Sequence, residues 1–447
     1  MKNMKDQKLT TEPYKGARDF YPEEKRIQEY LFNIWRETAK SFGYEEYDFP
    51  LLEKYELYEA KSGEDLVQNQ LYSFEDRGGR KVAVRPEKTP SLARMVAARV
   101  QSLPKPIRWF NIGNCWRYEK PQRGRGREFY QFDCDIFGVD DIFADVEVFS
   151  IPIEVMKKLG ATSEMFEIRV NNRKFAESYL RNIVELKGGM AEKDSQLYAV
   201  TKAIDSKPKI SENEFLKLLE EAWVSTKQIE KLNEYLSADL EFVSKYAKDN
   251  EGAKELLDFF ALMKETGYGE FIAFKPEIMR GLDYYTGMVI EQFDLNPKNN
   301  RSMYGGGRYE NLIGLFSDEQ MGGVGFAMGD MTLLEFLKGW NLLPEIEQEV
   351  DYYVTVWPVS KGASEGKQEA TGNLADAFKT ARKLREKGKN VINCLDPTTS
   401  ISDQLADANK RGAKNVVIQG PQEEEEGVVS VKNMKSGEQQ QIPIEKL

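Results

Sequence analysis

The 447-residue sequence predicts an α/β protein of two domains, the first interrupted by a helical insertion. Three observations predict it. Two apolar, aromatic-rich runs, Ile107–Trp116 and Phe129–Phe137, flank a short basic stretch with glycines, the pattern of a β-hairpin. From about residue 174 to 267 the chain becomes charged, helix-periodic and poor in glycine. Beyond residue 351, strand-like and helix-like segments alternate, which argues a small α/β domain with a largely parallel core. A chain this long exceeds one ordinary hydrophobic core, so two or three domains are expected.

The elements follow in order. Residues 1–12 are polar and lysine-bearing and predict a disordered tail. Ile27, Tyr30, Leu31, Ile34 and Trp35 recur at helical spacing, so 24–42 is an amphipathic helix, ended by Gly43. Tyr44–Leu52 is an extended run that reaches Pro50. Tyr72–Phe74 and Val82–Arg85 are short strands about the turn Asp76-Arg77-Gly78-Gly79. Ser91–Gln101 is helical, and the hairpin follows. A helix near Asp145–Leu159 precedes a strand at Phe166–Val170. The insertion is broken near Lys207-Pro208, and strand-like runs return at 271–293 and 302–304. A linker lies near Asn341–Val350. After it come strands at Tyr352–Val356, Val391–Cys394 and Asn415–Ile418, with helices at Leu374–Lys387 and Ile401–Arg411. Glu423–Glu426 reads as a solvated acidic turn.

Composition narrows the chemistry. The net charge of −11 argues against bulk attraction to nucleic acid, so such a partner needs a local basic surface. No apolar run reaches membrane-spanning length, and the N-terminus lacks the apolar core of a secretory signal. Cys115, Cys134 and Cys394 are too few and too scattered for a disulfide framework or a zinc site, which fits a reducing cytoplasm. The sequence contains no histidine at all. That removes the usual neutral-pH acid/base and excludes Ser–His and Cys–His nucleophilic catalysis. Arg, Lys, Asp, Glu, Tyr and a bound metal remain to carry any reaction.

The hairpin loop holds Arg117, Lys120, Arg123, Arg125 and Arg127, with Gly124 and Gly126 between them. Arginine's rigid fork matches phosphate oxygens, and glycine lets the backbone approach. The loop therefore suits a polyanion, with a merely solvated basic loop as the alternative. In Arg85-Pro86-Glu87-Lys88-Thr89-Pro90, Glu87 and Thr89 stand two apart on an extended chain and point the same way. Together they can accept two protons of an ammonium group. Two glycine-dense segments, Tyr304-Gly305-Gly306-Gly307-Arg308-Tyr309 and Gly322-Gly323-Val324-Gly325-Phe326-Ala327-Met328-Gly329-Asp330, admit close approach of a flat ligand.

The stretch Arg117 to Asp135 resembles motif 2 of the class II aminoacyl-tRNA synthetases, most closely that of the histidyl-tRNA synthetase family. The resemblance covers nearly the whole chain in order. Pro50 matches the motif 1 proline, and Arg85–Pro90 resembles the family's amino-acid-binding segment. Arg280-Gly281-Leu282-Asp283-Tyr284-Tyr285-Thr286-Gly287 resembles the segment peculiar to the histidyl enzymes. The resemblance implies an α+β catalytic domain over 13–340, an antiparallel sheet flanked by helices, with the helical insertion at about 174–267. It also implies a C-terminal α/β anticodon-binding domain over 351–447. The implied activity is ATP-dependent attachment of histidine to its tRNA through a histidyl-adenylate, with ATP and Mg²⁺ as cofactors, as a cytoplasmic homodimer. Histidine, ATP and tRNA, met at its acceptor stem and anticodon, are the implied partners.

The resemblance also implies roles for individual residues. Arg280 and Arg117 would clamp the α-phosphate as catalytic residues. Glu87, Thr89, Gln131, Asp135, Tyr284 and Tyr285 would bind histidine, with Asp135 and Tyr285 facing the donor and acceptor nitrogens of a neutral imidazole. Arg117, Glu119, Arg125 and Arg308 would bind ATP, Lys120 and Gln122 the tRNA acceptor end, and no protein-held metal is implied. The chain departs from the family at Thr332, where motif 3 has an ATP-contacting arginine. Arg125, Arg127 and Arg308 are candidates to replace it. Two rival readings stay open: a non-catalytic paralogue that senses histidine or tRNA, and a class II synthetase for another amino acid.

Overall fold

The computed structural model describes residues 9–60, 66–279, 284–299, 302–310, 312–359 and 364–447; side chains at 209 and 364–372 are outside that description. Residues 1–21 and 27–344 form one unit, and residues 22–26 and 345–447 the other. Of the expected tail, residues 9–12 are exposed and irregular.

Strands of the first unit are β1 Glu45–Glu46, β2 Leu52–Lys54, β3 Ser73–Glu75, β4 Lys81–Val84, β5 Ile107–Trp116 and β6 Glu128–Phe137. They continue with β7 Phe166–Asn172, β8 Ile272–Phe274, β9 Met288–Asp294, β10 Ser302–Tyr309 and β11 Gly323–Gly329. Eight of them form one sheet in the order β1-β5-β6-β11-β10-β9-β7-β8. It is antiparallel except for the two edge pairs, β1 with β5 and β7 with β8. A small antiparallel sheet, β2-β4-β3, carries the turn in which Gly79 donates to the Asp76 carbonyl at 3.0 Å.

The helices are α1 Pro22–Ser41, α2 Tyr55–Glu59, α3 Thr89–Arg99 and α4 Phe143–Lys158. The insertion contributes α5 Arg173–Asn182, α6 Gln196–Ser206, α7 Glu212–Glu221, α8 Thr226–Leu236, α9 Leu240–Ser244 and α10 Glu251–Glu265. The break at Lys207–Lys209 is a 3₁₀ turn, with Pro208 at a position that needs no amide donor. Ser211 and Ser225 each open the next helix with a reciprocal capping box. α11 Asp330–Gly339 closes the unit.

Alternation along β6 sets the two faces of the large sheet. Phe132, Cys134 and Ile136 point into a core shared with Leu31 and Trp35 of α1 and Val148 and Phe149 of α4. Trp35 stacks on Phe132 at 5.5 Å, and neither ring is exposed. Gln131, Asp133 and Asp135 take the opposite face, which remains open.

The second unit has β12 Val350–Val354, α12 Ser364–Glu386, β13 Val391–Asn393, α13 Ile401–Lys410, β14 Ala413–Ile418, α14 Pro421–Glu426, β15 Val428–Asn433 and β16 Gln439–Pro443. Its sheet order is β13-β12-β14-β15-β16, parallel through the first three strands and antiparallel beyond them. The expected acidic turn at Glu423–Glu426 is instead the end of a short helix. Pro421 starts it, and Gly427 ends it at φ +67°. Glu423 accepts from the Gly420 amide at 3.1 Å, so the acidic residue caps the helix start. Several bases of α12 have partners. Lys379 pairs with Asp376 and Arg382 with Glu386, while Arg385 donates to the Val391 carbonyl. Among the described residues no helix is long and apolar enough to cross a membrane.

Candidate active site

The open face of the large sheet is the floor of a cavity of about 730 Å³. Its shape follows from side-chain size. Across the β6–β11 pair, Asp135 faces Gly325, Asp133 faces Ala327 and Gln131 faces Gly329. One strand further, Gly307 faces Gly325 and Gly305 faces Ala327. Small residues therefore pave β10 and β11 just where β6 presents polar groups. A β-carbon on residue 325 would lie 2.0 Å from Asp135 Oδ1, and one on residue 307 would lie 2.6 Å from the Tyr285 ring. Neither position tolerates any side chain without displacing a cavity residue.

At one end, Tyr309 donates its hydroxyl to Asp135 Oδ1 at 2.5 Å. Asp135 is 3% exposed, and burial, with Asp133 nearby, pushes its carboxyl up to about 8 against the bond from Tyr309. Burial and the Asp135 carboxylate likewise raise the Tyr309 phenol. Tyr284 donates to Glu87 Oε2 at 3.4 Å, packs beside Tyr285 at 4.8 Å and meets Tyr309 edge-on at 5.9 Å. Tyr284 precedes β9 in an irregular segment and is buried in a hydrophobic cluster with Tyr285 and Tyr309.

Glu87 and Thr89 both line the cavity, but not by strand alternation. Glu87 lies beyond the end of β4, whereas Thr89 is the first residue of α3 and Lys88 is already in the helical region at φ −113°, ψ −28°. Arg85 holds this segment in place. Its guanidinium donates to the Asn114 carbonyl at 2.7 Å and the Phe49 carbonyl at 3.0 Å. A β-carbon at Gly113 would come within 2.7 Å of that guanidinium.

Among the cavity residues that escaped the sequence reading, Lys88 and Asp133 form an ion pair at 2.8 Å, with side chains 0% and 3% exposed. The alternation Gln131, Asp133, Asp135 was the available signal, since three polar residues at period two on a core strand share one face.

The other end of the cavity is cationic. Arg117 lines it, with Nε donating to the Pro86 carbonyl at 2.9 Å. Glu119 and Arg125 also line it, 3.6 Å apart. The loop tip is a tight turn in which Gln122 and Arg125 exchange backbone bonds of 3.0 and 2.9 Å around Gly124 at φ +71°. Gln122 lines the cavity, while Lys120 is exposed outside it. Thr332 lines this end and donates to the Met303 carbonyl at 2.9 Å.

Arg308 is a correction. Expected as an ATP ligand, it does not line the cavity. It follows Gly307 on β10, so it points to the opposite face, where it is ion-paired with fully buried Asp145 of α4. It also donates to the carbonyls of Val139 and Asp141, both at 2.9 Å. Arg127 is likewise engaged elsewhere, stacked on Tyr118 at 3.9 Å and bonded to Tyr14 at 2.8 Å. Of the three candidates to replace the motif 3 arginine, Arg125 alone borders the cavity. Arg280 falls outside the described residues. No group of three metal-ligating side chains occurs among the described residues.

An antiparallel sheet with this hairpin, an amino-acid-sized polar end and a cationic end is the architecture of a class II aminoacyl-tRNA synthetase. The family model described as histidyl-tRNA synthetase matches residues 16–333, and that described as anticodon binding domain matches 353–447. The chain is 38% identical to the histidine–tRNA ligase of Leptospira biflexa, covering 98% of this chain and 96% of that relative. It is 39% identical to the chloroplastic/mitochondrial histidine–tRNA ligase of Arabidopsis thaliana, covering 98% and 86%. The crystal structure of histidyl-tRNA synthetase from Nostoc shares its fold, with a TM-score of 0.78 at 24% identity over 98% of this chain and 97% of that one. The chain belongs to the histidyl-tRNA synthetase family. Its relatives extend through the C-terminal unit and are named as ligases, which disfavours the regulatory-paralogue reading.

Proposed function

We propose that the chain joins histidine to its tRNA in two steps, through a histidyl-adenylate, as a cytoplasmic homodimer. The observation that carries this reading is the polarity of one cavity. Asp135, Glu87, Tyr284, Tyr285 and Tyr309 gather at one end, Arg117 and Arg125 line the hairpin end, and β10 and β11 present small residues between. The amino-acid end suits histidine. Glu87 and Thr89 accept protons of the α-ammonium, Asp135 meets one imidazole nitrogen and Tyr285 the other, and Gln131 borders the ring. Tyr284 orients Glu87 through its hydroxyl.

In the first step the histidine carboxylate attacks the α-phosphate of ATP and pyrophosphate leaves. Such a transfer is accelerated chiefly by positioning and by charge stabilisation. Arg117, tethered to Pro86, holds the α-phosphate, and the family resemblance assigns Arg280 the same task. Glu119 takes the adenine end and Arg125 the β- and γ-phosphates. Mg²⁺ keeps water and phosphate oxygens as most of its ligands. It would enter bound to ATP and would neutralise phosphate charge. In the second step the 3′ end of tRNA takes the histidyl group. Lys120 and Gln122 meet the acceptor stem, and residues 351–447 read unstacked anticodon bases.

The test is charging of a histidine tRNA transcript with labelled histidine. Wild type should form ester-linked histidyl-tRNA, and Arg280→Ala should form neither adenylate nor product while remaining folded. Normal turnover by that variant would overturn the assignment of Arg280.

A further inference from the structure

Lys88 and Asp133 take no part in the reaction outlined above, yet they are among the most deeply buried charges of the molecule. Removing both from water is costly, and an apolar pair of equal size would pack as well. Their burial is better explained by their effect on neighbours. The Lys88 ammonium donates to the Gln131 carbonyl at 2.7 Å, which fixes the point where that side chain leaves β6. It also neutralises Asp133, two residues before Asp135 on the same face.

Asp135 is faced by other groups from each element around it. Tyr309 of β10 donates at 2.5 Å, and Gly325 of β11 offers no side chain. The Tyr47 phenol and the Cys134 thiol lie close enough to interact, and burial keeps both neutral by raising them. Lys88 favours the Asp135 carboxylate from a distance, but its direct ion-pair partner is Asp133. Among the described residues Asp135 therefore has no ion-pair partner of its own, in a place where a lone carboxylate is costly.

We infer that Lys88 and Asp133 are positioning residues for imidazole recognition: a neutral buried pair that fixes Gln131 and leaves Asp135 uncompensated, so that its carboxyl and the substrate ring share one proton. The inference rests on the proposed function. Neutral imidazole with protonated Asp135, and imidazolium with its carboxylate, hold the same atoms and charge. Histidine binding then needs no net proton transfer between roughly pH 6.5, where free imidazole titrates, and about 8, where Asp135 does. Outside that window a proton must be lost or gained, and affinity falls.

The experiment measures the histidine dissociation constant from pH 5.5 to 9.5 by calorimetry, for wild type, Asp133→Asn and the double variant K88M/D133N. Wild type should show a plateau with two falling limbs. Asp133→Asn frees Lys88 to stabilise the Asp135 carboxylate, so the alkaline limb should move to lower pH by at least about one unit. The double variant removes both charges, folds without an orphaned ion and should restore the limb. An alkaline limb common to all three proteins would overturn the inference. A carbon-13 NMR titration of the Asp135 carboxyl in the unliganded protein separates the two claims. A carboxyl that shifts in Asp133→Asn and returns in the double variant, in a protein that binds no histidine, would defeat the proposed substrate but leave the charge pair's role standing.

Discussion

Replacing Gly325 by alanine probes the centre of the histidine end with a single methyl group. The new β-carbon would lie 2.0 Å from Asp135 Oδ1 and 2.6 Å from its Cγ, whereas ordinary contact begins at 3.4 Å. The Asp135 carboxyl must therefore move by more than 1 Å, because the Cys134 carbonyl, 2.9 Å from the added carbon, blocks retreat on the backbone side. That movement breaks the 2.5 Å bond from Tyr309 and takes the carboxyl off the imidazole. A hydrogen bond involving a charged group contributes about 1.5–3 kcal/mol. At about 1.4 kcal/mol per tenfold, the histidine KM should rise roughly ten- to hundredfold. Overpacking should also lower stability by about 1–3 kcal/mol. Arg117 and Arg125 lie at the other end, so the ATP KM should stay within about threefold. The assay is ATP–pyrophosphate exchange with each substrate varied in turn, beside a thermal melt. A folded Gly325→Ala protein with wild-type histidine KM would refute the assignment of Asp135 to the imidazole.

Other substitutions test neighbouring claims. Tyr309→Phe keeps the ring and removes the donor; histidine KM should rise about tenfold in the exchange assay with little change for ATP. Asp135→Asn should change how stability depends on pH. The native state holds the Asp135 proton more tightly than the unfolded chain, so wild-type stability falls as pH rises from 3.8 toward about 8. The Asp135 contribution to that slope is at most about 1.4 kcal/mol per pH unit, and urea melts of the asparagine variant should lack it. Arg308→Met should lower the melting temperature sharply, because it leaves Asp145 charged and buried, a loss of about 3–5 kcal/mol. ATP KM measured well below the melt should be near wild type, since Arg308 points away from the cavity.

The fold was legible where periodicity was strong. Leu31 and Trp35 at helical spacing gave α1, and the two aromatic runs gave β5 and β6 within a residue of their observed bounds. β11 was harder to read, because Gly323, Gly325 and Gly329 carry no side chain to show alternation. β16 was missed because Gln439–Gln441 are exposed on an outer strand and show no apolar face. The site was legible through residue types but not through their partners. Arg308 lies beside Tyr309 in sequence, yet strand geometry sends the two side chains to opposite faces. Lys88 reads as a solvated base between Glu87 and Thr89, and only the turn into α3 swings it onto Asp133.

The most direct measurement is ATP–pyrophosphate exchange without tRNA, with histidine and each of the other amino acids offered separately. Exchange that depends on histidine alone is predicted, and it would show that Thr332 is tolerated where the family has an arginine. Exchange with a different amino acid, or none with histidine although histidine binds in calorimetry, would contradict the account.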